Sequence, residues 1–164
     1  MKIRVMASPV MINTMKAMGA SGVPVAWGEL YTALQTGVVD GGENNHPSVI
    51  SMKFYEVSKF YTIDEHMRIP DVNIISTKVF EKLSKSQQAA VLQAGEEATA
   101  YMRGAWKVAE INDLEKIKGL MKEVITVDKK PFIDAVASLV NEESKKLGAE
   151  SFIKYVLDTS KNFK

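Results

Sequence analysis

The chain has 164 residues, enough for one domain with a core of its own. It is 46% apolar and 25% charged with a formal net charge of +1; Lys and Arg alternate with Asp and Glu, so no basic face for nucleic acid forms, and no apolar run approaches the ~18 residues of a membrane span. The absence of cysteine excludes a disulfide scaffold, a thiolate nucleophile and a Cys-ligated metal.

Met1-Lys2-Ile3-Arg4-Val5 enters a strand at once, with no basic n-region and apolar h-region of a signal peptide. Either a cytosolic protein or a fragment of an exported one is expected. Lys2 to Ala7 predicts a strand, and Ser8-Pro9 an N-cap with proline in the first helical turn. The helix that follows carries Val10, Met11, Met15 and Met18, a stripe better suited to a core than to a binding surface, and Gly19 stops it. Gly22 to Ala26 is a second strand, Glu29 to Thr36 a second helix closed by Gly37, and Val38-Val39 lead into a third strand. This β-α-β-α-β rhythm predicts an α/β sheet.

Asp40 to Pro47 is a polar, Gly-containing loop ahead of a helix from Pro47 to Lys53. Phe54 to Ile63 is aromatic and β-branched, Val72 to Ser76 is a further strand candidate, and Ser76 or Thr77 caps a short helix through Leu83. Ser84-Lys85-Ser86-Gln87 has the form of a capping box. Behind it a helical apolar period runs from about Ser86 to Lys122, with Gly95, Gly104 and Gly119 as places for a bend or break, each costing ~1 kcal/mol against Ala. Val124 to Val127 is a short strand, Pro131 opens a helix ending near Gly148, and a last helix spans Ser151 to Ser160. No linker divides the chain, so residues 1–164 are expected to form a single domain.

Three stretches carry a family resemblance. Lys2-Ile3-Arg4-Val5 is similar to a strand bearing a ligand-binding arginine. Gly28-Glu29-Leu30-Tyr31-Thr32-Ala33-Leu34-Gln35-Thr36-Gly37-Val38-Val39-Asp40-Gly41 resembles a long signature, and Glu43-Asn44 and Lys53-Phe54-Tyr55-Glu56-Val57 follow it in matching order and spacing. The family is that of the solute-binding proteins of TRAP-type (tripartite, ATP-independent) transporters. The resemblance implies one lobe of a two-lobed α/β clamshell of the periplasmic-binding-protein type (type II-like), with long C-terminal helices. The second lobe would be present, and the first lobe and signal peptide absent. It implies a periplasmic parent that captures a small organic acid and delivers it to a membrane permease, with no cofactor and no metal.

The resemblance also assigns residues. Arg4 would anchor the ligand carboxylate, for which its planar, permanently charged fork is suited; on its own it reads as a surface arginine on an edge strand. Asn44 would reach the ligand with its amide, although Asn also fills turns. Glu43 is assigned a structural role. Trp27 would wall the pocket, or lie in the core beneath a helix. Many relatives have proline after Glu-Asn, whereas Asn45 and His46 stand here and add hydrogen-bonding groups, which favours a sugar acid such as a uronate over a C4-dicarboxylate. Asp64-Glu65-His66-Met67-Arg68 brings acids and an imidazole together, but the spacing is poor for a metal. Either Glu65 or His66 touches ligand hydroxyls, or the stretch is a solvated turn. The competing classes are an α/β enzyme using Glu43, His46, Asp64 and His66, which lacks a nucleophile with a placed base, and an oligomerising interaction module. The apolar residues Tyr101, Met102 and Trp106 spread over the long helix favour pairing with a second copy.

Overall fold

Prolines and glycines punctuate the chain, and the elements follow them. The computed structural model describes residues 1–160. Strand β1 (Lys2–Val5) runs into helix α1 (Pro9–Ala17), whose N-cap Ser8 is extended and whose first turn holds Pro9. Gly19, at φ +82°, reverses the chain into β2 (Ser21–Pro24). A 3-10 turn (Trp27–Glu29) leads into α2 (Leu30–Gln35), and Gly37, at φ +72°, turns it toward β3. The third strand is Gly41–Gly42, a few residues beyond Val38-Val39; Val39 instead fills the core at 2% exposure.

These three strands form a parallel sheet in the order β2-β1-β3, with Arg4 opposite Val23 on one side and Gly42 on the other. Parallel neighbours need crossovers, and α1 and α2 supply them. Gly22 is required for close packing: a Cβ there would lie 2.8 Å from the Ile12 backbone in α1. Val5, Met11 and Met15 form the buried cluster beneath α1, with Met18 and Met67 packed against it. The methionine stripe is thus helix core.

Helix α3 (His46–Ser51) and a 3-10 turn (Phe54–Glu56) precede β4 (Phe60–Ile63), which pairs in parallel with β5 (Glu123–Thr126) in a second, two-stranded sheet. The expected strand at Val72 to Ser76 is not formed. A β-branched run becomes a strand by packing and ladder bonding, not by backbone preference alone, and no sheet edge among the described residues takes this one, so Val72 and Ile74 stand 73% and 89% exposed. Helix α4 (Thr77–Phe80) is short.

Helix α5 (Lys85–Leu120) is continuous over 36 residues. Its capping box has both reciprocal bonds: the Gln87 amide donates to the Ser84 hydroxyl, and the Ser84 amide to the Gln87 side chain. Gly95, Gly104 and Gly119 do not break it; each faces open space, and their propensity cost is spread over ten turns. Only its C-terminal end is well buried. There Ile117 and Met121 join Leu30, Val49 and Phe54 in the second core cluster. Helices α6 (Lys130–Lys146), with Pro131 in its first turn, and α7 (Glu150–Ser160) follow, separated by Gly148 at φ +61°; α6 packs against α1.

Ile117 is the only fully buried side chain of α5 and ties the helix to the core. Ile117→Ala is expected to lower unfolding free energy by ~2–5 kcal/mol in urea titrations. A loss below about 1 kcal/mol would mean that α5 is held by something other than this cluster.

Candidate functional site

Every strand of the first sheet points the same way, so three loops leave its carboxyl edge side by side. Such an edge is where open parallel sheets place ligands. β1 delivers Arg4, the chain beyond β2 delivers Val25 and Trp27, and β3 delivers Glu43 and Asn44. The second sheet adds its own carboxyl-end segment, Asp64 to His66.

Arg4 is the centre of this arrangement. It is buried, 3% exposed, on the middle strand. Its Nε donates to the Val25 carbonyl at 2.9 Å, and its guanidinium carbon lies 5.6 Å from the Trp27 ring centroid, within cation–π range. Trp27 is in turn held edge-on by Phe54, 5.7 Å between centroids at 82°. Trp27 is 41% exposed, so it is neither a core tryptophan nor a free one. The terminal amino groups of Arg4 have no protein acceptor among the described residues, and Arg4 belongs to none of the ion pairs found there.

The groups around it are acidic and coupled. Burial pushes the Glu43 carboxyl above its ordinary pKa, against the pull of His66 and Arg4, while Asp64 adds to the rise. Glu43 therefore sits within the electrostatic reach of Arg4 without bonding to it. His66 Nδ1–H donates to Asp64 at 2.9 Å. For Asp64, burial acts to raise the pKa, but the hydrogen bond and the charge of His66 outweigh it and the net shift is downward. For His66, the bond to Asp64 raises the pKa, burial opposes, and the charges of Asp64 and Glu43 add to the rise. Tyr61, which the sequence places only within an aromatic stretch, donates its hydroxyl to the Asn44 carbonyl at 3.1 Å and so fixes that loop. Burial, with Asp64 and Glu110 nearby, pushes the Tyr61 hydroxyl up to about 12.

The remaining sequence candidates have acquired protein partners. Asn44 accepts from the Asn45 amide through Oδ1, and its Nδ2 has no partner among the described residues. Asn45 is the N-cap of α3, its Oδ1 accepting from the Ser48 amide at 2.9 Å. His46 places Nδ1 at 3.2 Å from the Glu110 carbonyl of α5 and packs edge-on against Tyr61. Glu65, in the left-handed region at φ +48°, pairs with Lys129. Asn45, His46 and Glu65 thus brace the loops, while Arg4, Trp27, Asn44 and His66 lie with Glu43 and Asp64 at the carboxyl edge. Among the described residues no cluster of three or more His, Asp or Glu side chains is arranged to hold a metal ion.

The Asp64–His66 pair makes a pH signature whose sign is fixed by the two shifts. The elevated His66 pKa gives stability that is full below the ordinary 6.5 and is lost as pH rises through the folded value. The depressed Asp64 pKa gives stability present above its ordinary 3.8 and lost as pH falls through the folded value. NMR titration of the His66 ring is expected to give a midpoint above 6.5, falling in Asp64→Asn. An unchanged midpoint in that variant would remove the pair as the cause.

The sequence pattern of bacterial extracellular solute-binding proteins, family 7 (DctP), matches residues 1–146. The 2,3-diketo-L-gulonate-binding periplasmic protein YiaO of Escherichia coli K12 is 37% identical over 147 residues, 87% of this chain and 44% of that protein. A TRAP periplasmic solute-binding protein from Pseudomonas putida F1, solved with bound D-glucuronate, superposes with a TM-score of 0.87 at 39% identity, covering 94% of this chain and 50% of that one. Another, from Xanthobacter autotrophicus Py2 with bound β-D-galacturonate, gives a TM-score of 0.83 at 40% identity over 86% of this chain and 47% of that one. The chain spans about half the length of the relatives it matches. Its α/β fold is that of about half of a two-lobed receptor, and the family consists of substrate-binding transport proteins, which sets the enzyme alternative aside. The chain belongs to the TRAP solute-binding proteins, the bacterial extracellular solute-binding proteins of family 7.

Proposed function

We propose that this chain is the second, carboxylate-holding lobe, with its C-terminal helices, of a periplasmic receptor that captures a sugar acid and delivers it to a TRAP membrane permease. The observation that carries the reading is Arg4: a buried, permanently charged group whose terminal donors have no carboxylate partner among the described residues. The terminal amino groups keep access to solvent, so a ligand carboxylate can dock on the guanidinium fork with two charge-assisted bonds. Trp27 offers the adjacent flat face for the C–H side of a sugar ring. Asn44 Nδ2, Glu43 and His66 supply donors and acceptors for hydroxyls. A hexuronate ranks ahead of a C4-dicarboxylate for two reasons. A second ligand carboxylate would meet Glu43 and Asp64, and the similar structures carry glucuronate and galacturonate.

The proposal includes a second copy of this chain as the cover for the apolar residues left exposed on α5 and α7, Leu92, Tyr101, Ile111, Phe152 and Tyr155 among them. Light scattering behind a sizing column is expected to read a dimer, and a strict monomer would remove that part alone.

Calorimetry of D-glucuronate against the receptor spanning the family's full length tests the central reading. Arg4→Met is expected to cost ~2–5 kcal/mol, about 30-fold or more in Kd, because a carboxylate loses its only buried counter-charge. A change under about twofold would take Arg4 out of the site. In thermal-shift comparison of glucuronate, galacturonate, malate and succinate, a largest shift for succinate would overturn the sugar-acid ranking.

A further inference from the structure

Both oxygens of Asn44 are engaged by the protein. The Tyr61 hydroxyl donates to its backbone carbonyl at 3.1 Å, and the Asn45 amide donates to its Oδ1 at 3.0 Å. A backbone N–H needs an acceptor, so the side-chain oxygen is the atom turned to Asn45, and Nδ2 is the donor left over. Asn44 stands two residues beyond Gly42, the register partner of Arg4. The orientation of the loop backbone therefore sets where that donor points relative to Arg4.

The bond to Asn45 is local, but the clamp on the carbonyl is not. Tyr61 comes from β4, 17 residues downstream of Asn44. Its ring packs against the second core cluster and edge-on to the His46 ring, 5.5 Å between centroids at 68°. His46 Nδ1 lies 3.2 Å from the Glu110 carbonyl, which can only accept, so Nδ1 carries the proton and ties the ring to α5. Burial, with Asp64 and Glu110 adding to it, pushes the Tyr61 hydroxyl up to about 12, so it remains a donor across the physiological range. A phenylalanine would fill the same place in the core. What the hydroxyl adds is a hydrogen bond to the loop that carries Asn44.

We propose that Tyr61, backed by His46, is a positioning residue that sets ligand selectivity, aiming the Asn44 side-chain amide at a ring hydroxyl of a sugar acid. The proposal rests on the reading of Arg4 as the carboxylate anchor. Arg4 takes any carboxylate, whereas the loop held by Tyr61 distinguishes a hydroxylated ring from a bare one. A hydrogen bond weakens steeply as its angle departs from linear. Losing the clamp on the backbone carbonyl therefore weakens the bond from Asn44 and leaves the guanidinium where it is.

The test is calorimetry of the full-length receptor with D-glucuronate and with tetrahydropyran-2-carboxylate, which keeps the ring and the carboxylate and has no hydroxyl. Tyr61→Phe is expected to weaken glucuronate binding about fivefold, ~1 kcal/mol, the size of one net hydrogen bond. The preference for glucuronate over the bare-ring acid should fall by a similar factor. In an Asn44→Ala background the same substitution should change glucuronate affinity less than about twofold, because its effect passes through that amide. An unchanged preference, or an equal loss with and without Asn44, overturns the proposal, since a purely structural tyrosine would act on both acids and in both backgrounds. If Tyr61→Phe fails to fold by circular dichroism, His46→Leu is read in the same cycle, with a smaller loss of the same pattern expected and the same results overturning it. An unaltered receptor that does not bind glucuronate overturns the Arg4 reading together with this one; binding that Tyr61→Phe leaves intact overturns this one alone.

Discussion

A buried arginine with no ion pair among the described residues is the constraint around which the rest of this structure is arranged. Arg4 occupies the middle strand of a parallel sheet, one residue from its carboxyl end, and is buried there. The Val25 carbonyl and the Trp27 face hold the guanidinium in place from one side. Neither neutralises it. The nearby carboxylates are near enough to be felt and are otherwise occupied: Asp64 is spent on His66, and burial drives Glu43 toward its neutral form. On the proposed reading, an anion would meet a guanidinium already positioned by Val25 and Trp27, an arrangement that keeps ordering costs low.

The long signature shared with the family packs into the core of the lobe. Its residues make the platform. Leu30 and Ala33 are buried, and Gly42 leaves room for Leu30, since a Cβ there would meet the leucine at 3.3 Å. Gly37 supplies the positive φ that turns α2 toward β3. The second motif locks onto the first: the Tyr31 hydroxyl donates to Glu56 at 2.8 Å, and Phe54 packs both against Leu30 and edge-on to Trp27. Two segments about 25 residues apart in sequence therefore fix one aromatic wall and one loop. That interdependence gives a physical reason for both motifs to occur together.

What the sequence revealed and what it hid divide along local and non-local lines. The capping box at Ser84, the proline-opened helices and the glycine stops at 19, 37 and 148 depend on neighbours a few residues away, and each lies where local chemistry puts it. The strand expected at Val72 to Ser76 depended on finding an edge, and composition cannot supply one. The same distinction separates the site residues. For Arg4 and Asn44, motif position pointed to the carboxyl edge of the sheet at which both lie. The protein partners of His46 and Glu65 lay beyond local reasoning, because Glu110 and Lys129 both lie 64 residues downstream. Asn45 is the exception that local reasoning could have caught, since an asparagine two residues before proline at a helix start is N-cap chemistry. Tyr61 gave no signal beyond its aromatic neighbours; only the fold brings its hydroxyl to the Asn44 carbonyl.

The claim that the site exists to neutralise Arg4 can be tested from the side of the ligand, with the protein untouched. D-Glucuronamide keeps every hydroxyl and the ring of D-glucuronate but carries no charge. Calorimetric titration of both against the full-length receptor should show the amide binding at least tenfold more weakly, with the difference vanishing in Arg4→Met. Equal affinities of the acid and the amide for the unaltered receptor would contradict the account.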